Sequence, residues 1–545
     1  MEGQRNTINT AFPQDLDAFC SEPSGRYFLA VNALTPNLKS LENQAVPVYR
    51  LPNEILSYIF ELANVPHPTQ DLSRWSVSQV SRLWQQTALH TPRIWSTICI
   101  SNHRAVEACV IRSGSAPLDI DLYIDHAYSA HLTDFQGYMD ILVPHMNRWR
   151  SLEFNGVPTK VYLPYLLSPA PQLEKLIIGM HYTNYRLPLE SVLFAGSSPR
   201  LRELLLANAH IPLISPIYTG LTDLALFNAS FNTSTISHLR SVLRACPQLH
   251  ALHLEEIHLG SSSAAASSAP DPGSIELPYL SFITARGVEP ELVHGVLVSV
   301  HPSPSLELQT YIDMESQLDR LGSVLPLESD LSRTLPNLSR VERVAFQFGL
   351  EEEDVEGVGY FYLAGETRSG VSVLDLTYVS MYPTSFTSTL LRAIGETLHF
   401  PSLKWLEFVG LSNALFSAEQ FAELLEHLPS ITQLDFKHCS ASFIETLAVT
   451  PTRHLCPRLR HLVIDHSNIS GSGLETVLES RNEAGEGDAE GRYLMFGVGS
   501  LHVSRCEAVG AGTLERLRYL VDFYLSETQD TGDLNFHTNL QYMLD

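Results

Sequence analysis

The chain has 545 residues, 44% apolar and 17% charged, enough material for a large core in several domains or one long repetitive one, and a composition that excludes a disordered chain. Its 60 acidic against 35 basic residues give a formal charge of -25, which argues against a surface that tracks nucleic-acid phosphates, because that needs clustered Lys and Arg. The seven cysteines, at 20, 99, 109, 246, 439, 456 and 506, are odd in number and scattered, so they form neither a disulfide framework nor a zinc-spaced pair, and a reducing compartment is expected.

Residues 1–20 lack a basic segment followed by an apolar one, and no apolar run reaches the length of a membrane span, so a soluble protein of the cytoplasm or nucleus is expected. Four Asn-x-Ser/Thr triplets, at Asn228, Asn232, Asn337 and Asn468, are read as chance occurrences in a Ser-rich chain. Residues 1–46 show no clear period and read as a weakly structured extension.

Residues 47–100 read as a helical module. In LPNEILSYIFELA, residues 51–63, Pro52 suits a first helical turn and Glu54 lies where the helix dipole favours an anion. Ile55, Leu56, Ile59, Phe60 and Ala63 then draw one broad apolar stripe. Pro66 and Pro68 end that helix; Val77, Val80, Trp84 and Ala88 mark a second, and Pro92 breaks it before a new apolar patch at Trp95. So small a unit can bury only part of this surface by itself, so a partner helix or the rest of the chain must cover the remainder.

The series LPNEILSYIF at 51–60, VSRLW at 80–84 and TPRIWSTI at 91–98 resembles the F-box, in the version abundant in mushroom-forming fungi. The resemblance implies docking to the Skp adaptor of cullin-RING ubiquitin ligases through Leu51, Pro52, Ile55, Leu56 and Ile59, with Phe60, Val80, Trp84 and Trp95 packing the module. Ser81 departs from the Cys common in such sequences, a small polar exchange expected to be tolerated. The alternative is a helical cap over the open end of a repeat array.

Residues 101–545 repeat. The pattern LxxLxL, whose last two apolar positions share a face of an extended strand, occurs at Leu173-Leu176-Ile178, Leu201-Leu204-Leu206, Leu221-Leu224-Leu226 and Leu249-Leu252-Leu254. It returns at Leu403-Leu406-Phe408, Ile431-Leu434-Phe436, Leu459-Leu462-Ile464 and, more loosely, Val498-Leu501-Val503. Helix candidates ISHLRSVLRAC at 236–246 and SAEQFAELLEHL at 417–428 lie between strands, the second with Ser417 placed to cap it. A strand, a turn and a helix per unit are expected, hence an α/β solenoid or horseshoe with parallel strands inside and helices outside. The pattern resembles the leucine-rich repeats commonly attached to F-boxes. In such repeats Cys439 and Cys506 stand where Asn or Cys satisfies turn backbone groups. Between Leu280 and Leu376 only partial copies appear, at 335–346 and 371–376, and a bulge or kink is expected there. The segments 260–274 and 482–491 read as loops, and EEEDVEG at 351–357 as a solvated acidic run.

No phosphate loop, HExxH, GxSxG elbow or zinc-spaced Cys/His pair is present, so no cofactor, no metal and no catalytic residue is expected. Two functions fit: a non-catalytic substrate receptor of an SCF-type ubiquitin ligase, partnered by the Skp adaptor, through it cullin, and a target protein; or a repeat interaction scaffold without a ligase role. A hydrolase or transferase on a repeat-like fold is a more distant third. Strand positions beside the core leucines should face outward, and Trp405, Glu407, Asp435 and His461 are the target-contact candidates. Neither nucleic acid nor membrane is expected as a partner.

Overall fold

The computed structural model describes residues 46–63, 73–99, 102–123, 130–156, 162–179, 192–209, 211–260, 274–314, 324–326, 330–350, 359–380, 391–392, 394, 398–483 and 498–524. The segment at 351–357, most of those at 260–274 and 482–491, and the N-terminal extension up to residue 45 lie outside these residues. The described residues fall into two compact units, divided between Leu152 and Glu153. No described helix is long and apolar enough to cross a membrane.

In the first unit a 3-10 turn at Pro47–Arg50 leads into α1 (Asn53–Ala63), α2 (Ser73–Val80) and α3 (Arg82–Leu89), and a second 3-10 turn at Pro92–Trp95 leads into β1 (Thr97–Cys99). The unit continues through α4 (His103–Arg112), β2 (Leu118–Tyr123), which pairs parallel with β1, α5 (Ala130–Leu142) and the start of β3 (Trp149–Asn155).

The second unit is built on a large, mostly parallel sheet. Its first strands, β4 (Lys175–Gly179), β5 (Glu203–Ala207), β6 (Asp223–Phe231) and β7 (Ala251–Leu259), fall on the first four LxxLxL copies and lock Leu176, Leu204, Leu224 and Leu252 side by side. A small parallel pair, β8 (Ile275–Glu276) with β10 (Val300–His301), stands apart, while β9 (Phe282–Arg286) and β11 (Glu307–Met314) extend the main sheet.

The partial copies at the centre belong to a three-strand meander: β12 (Arg343–Leu350), β13 (Gly359–Glu366) and β14 (Ser372–Ser380). Here β14 lies against β11, and β12 lies against the next parallel strand, β15 (Trp405–Val409), with β13 antiparallel to both its neighbours. The spatial order is therefore reversed, β11-β14-β13-β12-β15, where the sequence suggested a bulge or kink. An antiparallel middle strand lets both outer strands stay parallel to the sheet, so the break in the repeat does not break the ladder. Within the meander the strand that the sequence reading missed is β13, whose YFYLAGE carries no LxxLxL spacing; β9 and β11 before it were not read as strands either.

The last copies give β16 (Gln433–Lys437), β17 (His461–Asp465) and β18 (Ser500–Ser504), followed by β19 (Asp522–Tyr524). All the LxxLxL positions of both groups are buried, none more than 4% exposed. At the third position phenylalanines stack from strand to strand: Phe346 on Phe408 at 5.2 Å and Phe408 on Phe436 at 5.8 Å, with Phe421 edge-on to Phe408 at 5.1 Å. Phe421 comes from α9 (Ala418–Glu426), whose Ser417 and Gln420 form a reciprocal capping box. The earlier helices of this unit are α6 (Ile236–Arg244), α7 (Pro290–Ser299) and the single turn α8 (Leu331–Thr334); α10 (Ala441–Glu445), α11 (Gly471–Glu483) and α12 (Ala511–Leu517) follow α9. One expectation fails: a helix does not follow every strand. Among the described residues, the link from β5 to β6 holds a 3-10 turn at Pro216–Tyr218 and no α-helix, since a start-to-start interval of 20 residues leaves no room for several helical turns once a strand and two bends are placed.

A left-handed residue directly follows strand after strand, at Asn208, Gly287, Gly410, His438, His466 and Arg505, while Asn228 and Glu256 take the same positive φ inside β6 and β7. At Gly410 a Cβ would lie 2.3 Å from the Phe348 carbonyl oxygen, so only glycine fits. One residue beyond His438, Cys439 donates through Sγ to the carbonyls of Phe408 (3.4 Å) and Lys437 (3.3 Å), and its N–H meets Ser467 Oγ at 3.1 Å. Cys506 similarly donates to Ser504 O at 3.3 Å. Burial pushes the Cys439 thiol up to about 12, so it serves as a hydrogen-bond donor in the turn and not as a nucleophile. Asn337 is fully buried and donates to Val373 O at 2.7 Å, which closes that triplet to glycosylation in the folded chain.

Replacing Phe408 by Ala removes the ring shared by three others and is expected to cost about 3–5 kcal/mol, read as a lowered urea midpoint of the full chain.

Candidate functional site

Helix α1 has two apolar faces. Leu56 and Phe60, one turn apart, point inward and are 0% and 2% exposed; Phe60 lies 5.1 Å from the Trp84 ring of α3. Ile55, Tyr58, Ile59 and Leu62, at the i, i+3, i+4 and i+7 spacing of one helix face, are 48%, 59%, 39% and 62% exposed. The broad stripe read from the sequence therefore divides: one half makes the module's core and the other is left to solvent.

Behind this face the module is fastened by polar contacts. Ser81 Oγ accepts the Trp84 N–H at 3.3 Å and so caps α3; the residue that departs from the resembled pattern has a defined structural role. Thr91 Oγ1 donates to Ser57 Oγ at 2.8 Å, joining α1 to the turn after α3. Trp95 is fully buried and donates its indole N–H to Ala88 O at 2.8 Å. Its ring meets Trp75 edge-on at 5.2 Å, and the Arg112 guanidinium lies 4.5 Å from Trp95 and 5.1 Å from Trp75. Arg112 closes α4, so that helix is tied to the module by a cation between two indoles.

The structure sorts the sequence candidates. Pro52, Ile55 and Ile59 are exposed and Leu51 is half-buried, whereas Leu56, placed among the docking residues, is completely enclosed and packs the module. Of the residues assigned to packing, Phe60 and Trp95 are buried and Trp84 is half-buried, but Val80 is 53% exposed. Val80 ends α2, where the chain turns at Ser81 to start α3, and the side chain is left outside that corner. Tyr58 and Leu62 were missed, although their spacing from Ile55 was present in the sequence.

Residues 48–101 match the F-box-like family. This F-box-like domain includes all of α1 and the whole exposed face. Such a domain suggests a role in SCF-type ubiquitin ligase complexes, and F-box domains generally bind Skp-type adaptors. No curated protein matches the chain.

The target-contact candidates lie in the second unit, on the sheet face opposite the leucines. Trp405 is half-buried, with the Arg343 guanidinium 4.2 Å over its ring. Arg343 also bonds Glu366 at 2.9 Å and Glu407, and Lys437 Nζ reaches Glu407 Oε1 at 2.6 Å. Burial alone would raise the Glu407 carboxyl, but Lys437 and Arg343 hold it below its ordinary value. Its neighbour across the ladder, Asp435, accepts from Gln433 Nε2 at 3.0 Å and is pushed by burial up to about 6. Glu407 and Asp435 are thus 4% and 5% exposed, members of an internal network and not free contacts. His461 is exposed, 2.7 Å from Ser500 Oγ. Among the described residues no group of three or more metal-ligating side chains converges.

A carboxyl raised in the fold binds protons that the unfolded chain, with a pKa of about 3.9, releases; its stabilising contribution is present at low pH and is lost as pH rises through about 6. Asp435→Asn is therefore expected to raise the urea midpoint near neutral pH, with the gain shrinking as the pH falls below about 5; denaturation curves across that range check it.

Proposed function

We propose that the chain is the substrate-recognition subunit of an SCF-type cullin-RING ubiquitin ligase. The observation that carries this reading is the exposed stripe Ile55, Tyr58, Ile59 and Leu62 on the first helix of an F-box-like domain. Four apolar side chains held open on one helix supply a buried contact to a partner helix, the surface an adaptor requires. The second unit reads as leucine-rich repeats, an α/β solenoid that holds a target protein; its in-register copies and Cys439 and Cys506 turns support that reading. In this role the chain has no reactive residue of its own. It raises the effective concentration of target lysines at the conjugating enzyme, through adaptor and cullin, in the cytoplasm or nucleus.

Copurification of the full chain with the Skp adaptor tests the reading. The double variant Ile55→Ser, Ile59→Ser is expected to keep its thermal unfolding curve and to lose adaptor retention by about tenfold or more. Leu56→Ala is expected instead to lower stability by about 2–5 kcal/mol. Undiminished retention by the folded double variant, or no retention by the wild type, would leave the chain a repeat scaffold without a ligase role.

A further inference from the structure

On the strands β6, β7, β9, β11 and β14, the positions facing away from the leucine core, up to the left-handed turns, carry Asp223, Glu255, Glu307, Asp313 and Asp375 but only one Lys or Arg, Arg286. The register sets these side chains in rows: Glu255 beside Arg286 beside Tyr311, and His253 beside Thr284 beside Gln309 beside Asp375. Among the described residues Glu255 and Glu307 take part in no ion pair. Rings lie between the acids: Phe282 is half-buried, 5.2 Å from the His253 ring, and Tyr362 reaches over from β13 to donate to Asp375 Oδ2 at 3.3 Å.

The same face shows, a few strands away, what this chemistry holds when it is filled. Arg343 lies over the Trp405 ring between the carboxylates of Glu366 and Glu407, a guanidinium satisfied by two acids and an aromatic face. On β7, β9, β11 and β14 the acids and rings are present with far less internal cation. Asp375 reflects that deficit: burial raises its carboxyl to about 6 despite the opposing pull of Tyr362 and Arg286.

We propose that the open face of β7, β9, β11 and β14 docks an extended segment of the target protein rich in Arg and Lys, whose side chains seat between Glu255, Glu307 and Asp375 and against Phe282 and Tyr311. This rests on the receptor reading for its biological meaning, and it gives that reading a target chemistry. The overall charge of -25 steers the same class of partner toward the chain, while the rows of acid and ring select where it settles.

The test uses the purified full chain and a fluorescent hexa-arginine peptide, with binding followed by anisotropy. A face variant, Glu255→Gln, Glu307→Gln, Asp375→Asn, is compared with a charge-matched variant on exposed outer-helix residues, Glu423→Gln, Glu479→Gln, Glu515→Gln. Both are first shown by thermal melting to be folded. The face variant is expected to weaken binding about tenfold or more and the outer variant less than about twofold. Equal losses in the two, no loss in either, or no binding by the wild type would overturn the proposal. Adaptor retention, measured on the same samples, separates the two readings: peptide binding that fails while the adaptor is retained removes only the basic-target chemistry. Face-dependent peptide binding without adaptor retention keeps the docking face and removes the ligase role.

Discussion

Parallel strands that carry apolar side chains at matched positions can bury them only if every neighbour keeps the same register, because a slip of one residue turns each side chain to the other face. In this chain that constraint runs from Leu176 through Leu204, Leu224 and Leu252, and again from Leu406 through Leu434, Leu462 and Leu501. Intervals of 20, 28 and 39 residues all deliver the chain back to the same row, so variation in length is absorbed by the links and never by the ladder. The left-handed turns at the strand ends and the Cys439 and Ser467 contacts serve the same end, by reversing the chain without leaving backbone groups unpaired.

The central meander shows how strong that constraint is. The LxxLxL pattern fails there, yet the hydrogen-bond ladder does not, because β13 inserts as an antiparallel strand and hands the sheet on from β11 to β15. Phe361 from β13 joins Phe346 at 6.1 Å, so the aromatic stack that begins at Phe436 continues into the meander. Reversing the strand order also brings β14, with Asp375, next to β11 and separates it from β15, where Glu407 is compensated by Arg343 and Lys437. The meander thereby divides the open face into a region whose charges are balanced internally and one with an acidic surplus.

The F-box-like domain solves a different problem. A helix of eleven residues has too little surface to bury both of its apolar faces inside a small module, so Leu56 and Phe60 take the interior and Ile55 and Ile59 remain outside. Two indoles and Arg112 then extend the module beyond the residues that match the family, into α4. Core packing and an exposed apolar face are thus divided between adjacent residues of a single helix.

Local pattern was enough to place the helix that runs from Asn53 to Ala63, starting one residue after Pro52, the eight strands that carry LxxLxL and the capped helix after Ser417, since each depends on periodicity or on backbone chemistry within a few residues. The aromatic strand β13, the reversed order around it and the enclosure of Glu407 and Asp435 were illegible, because each depends on which distant strands become neighbours. Period two states that Asp435 and Glu407 point away from the leucines; it does not state that Lys437 and Arg343 will cover Glu407 there. The same holds for α1: the sequence determined by itself that the helix would be apolar on a wide arc, and only tertiary packing against α3 decided which half of that arc faces water, because burial is a property of neighbours and not of spacing.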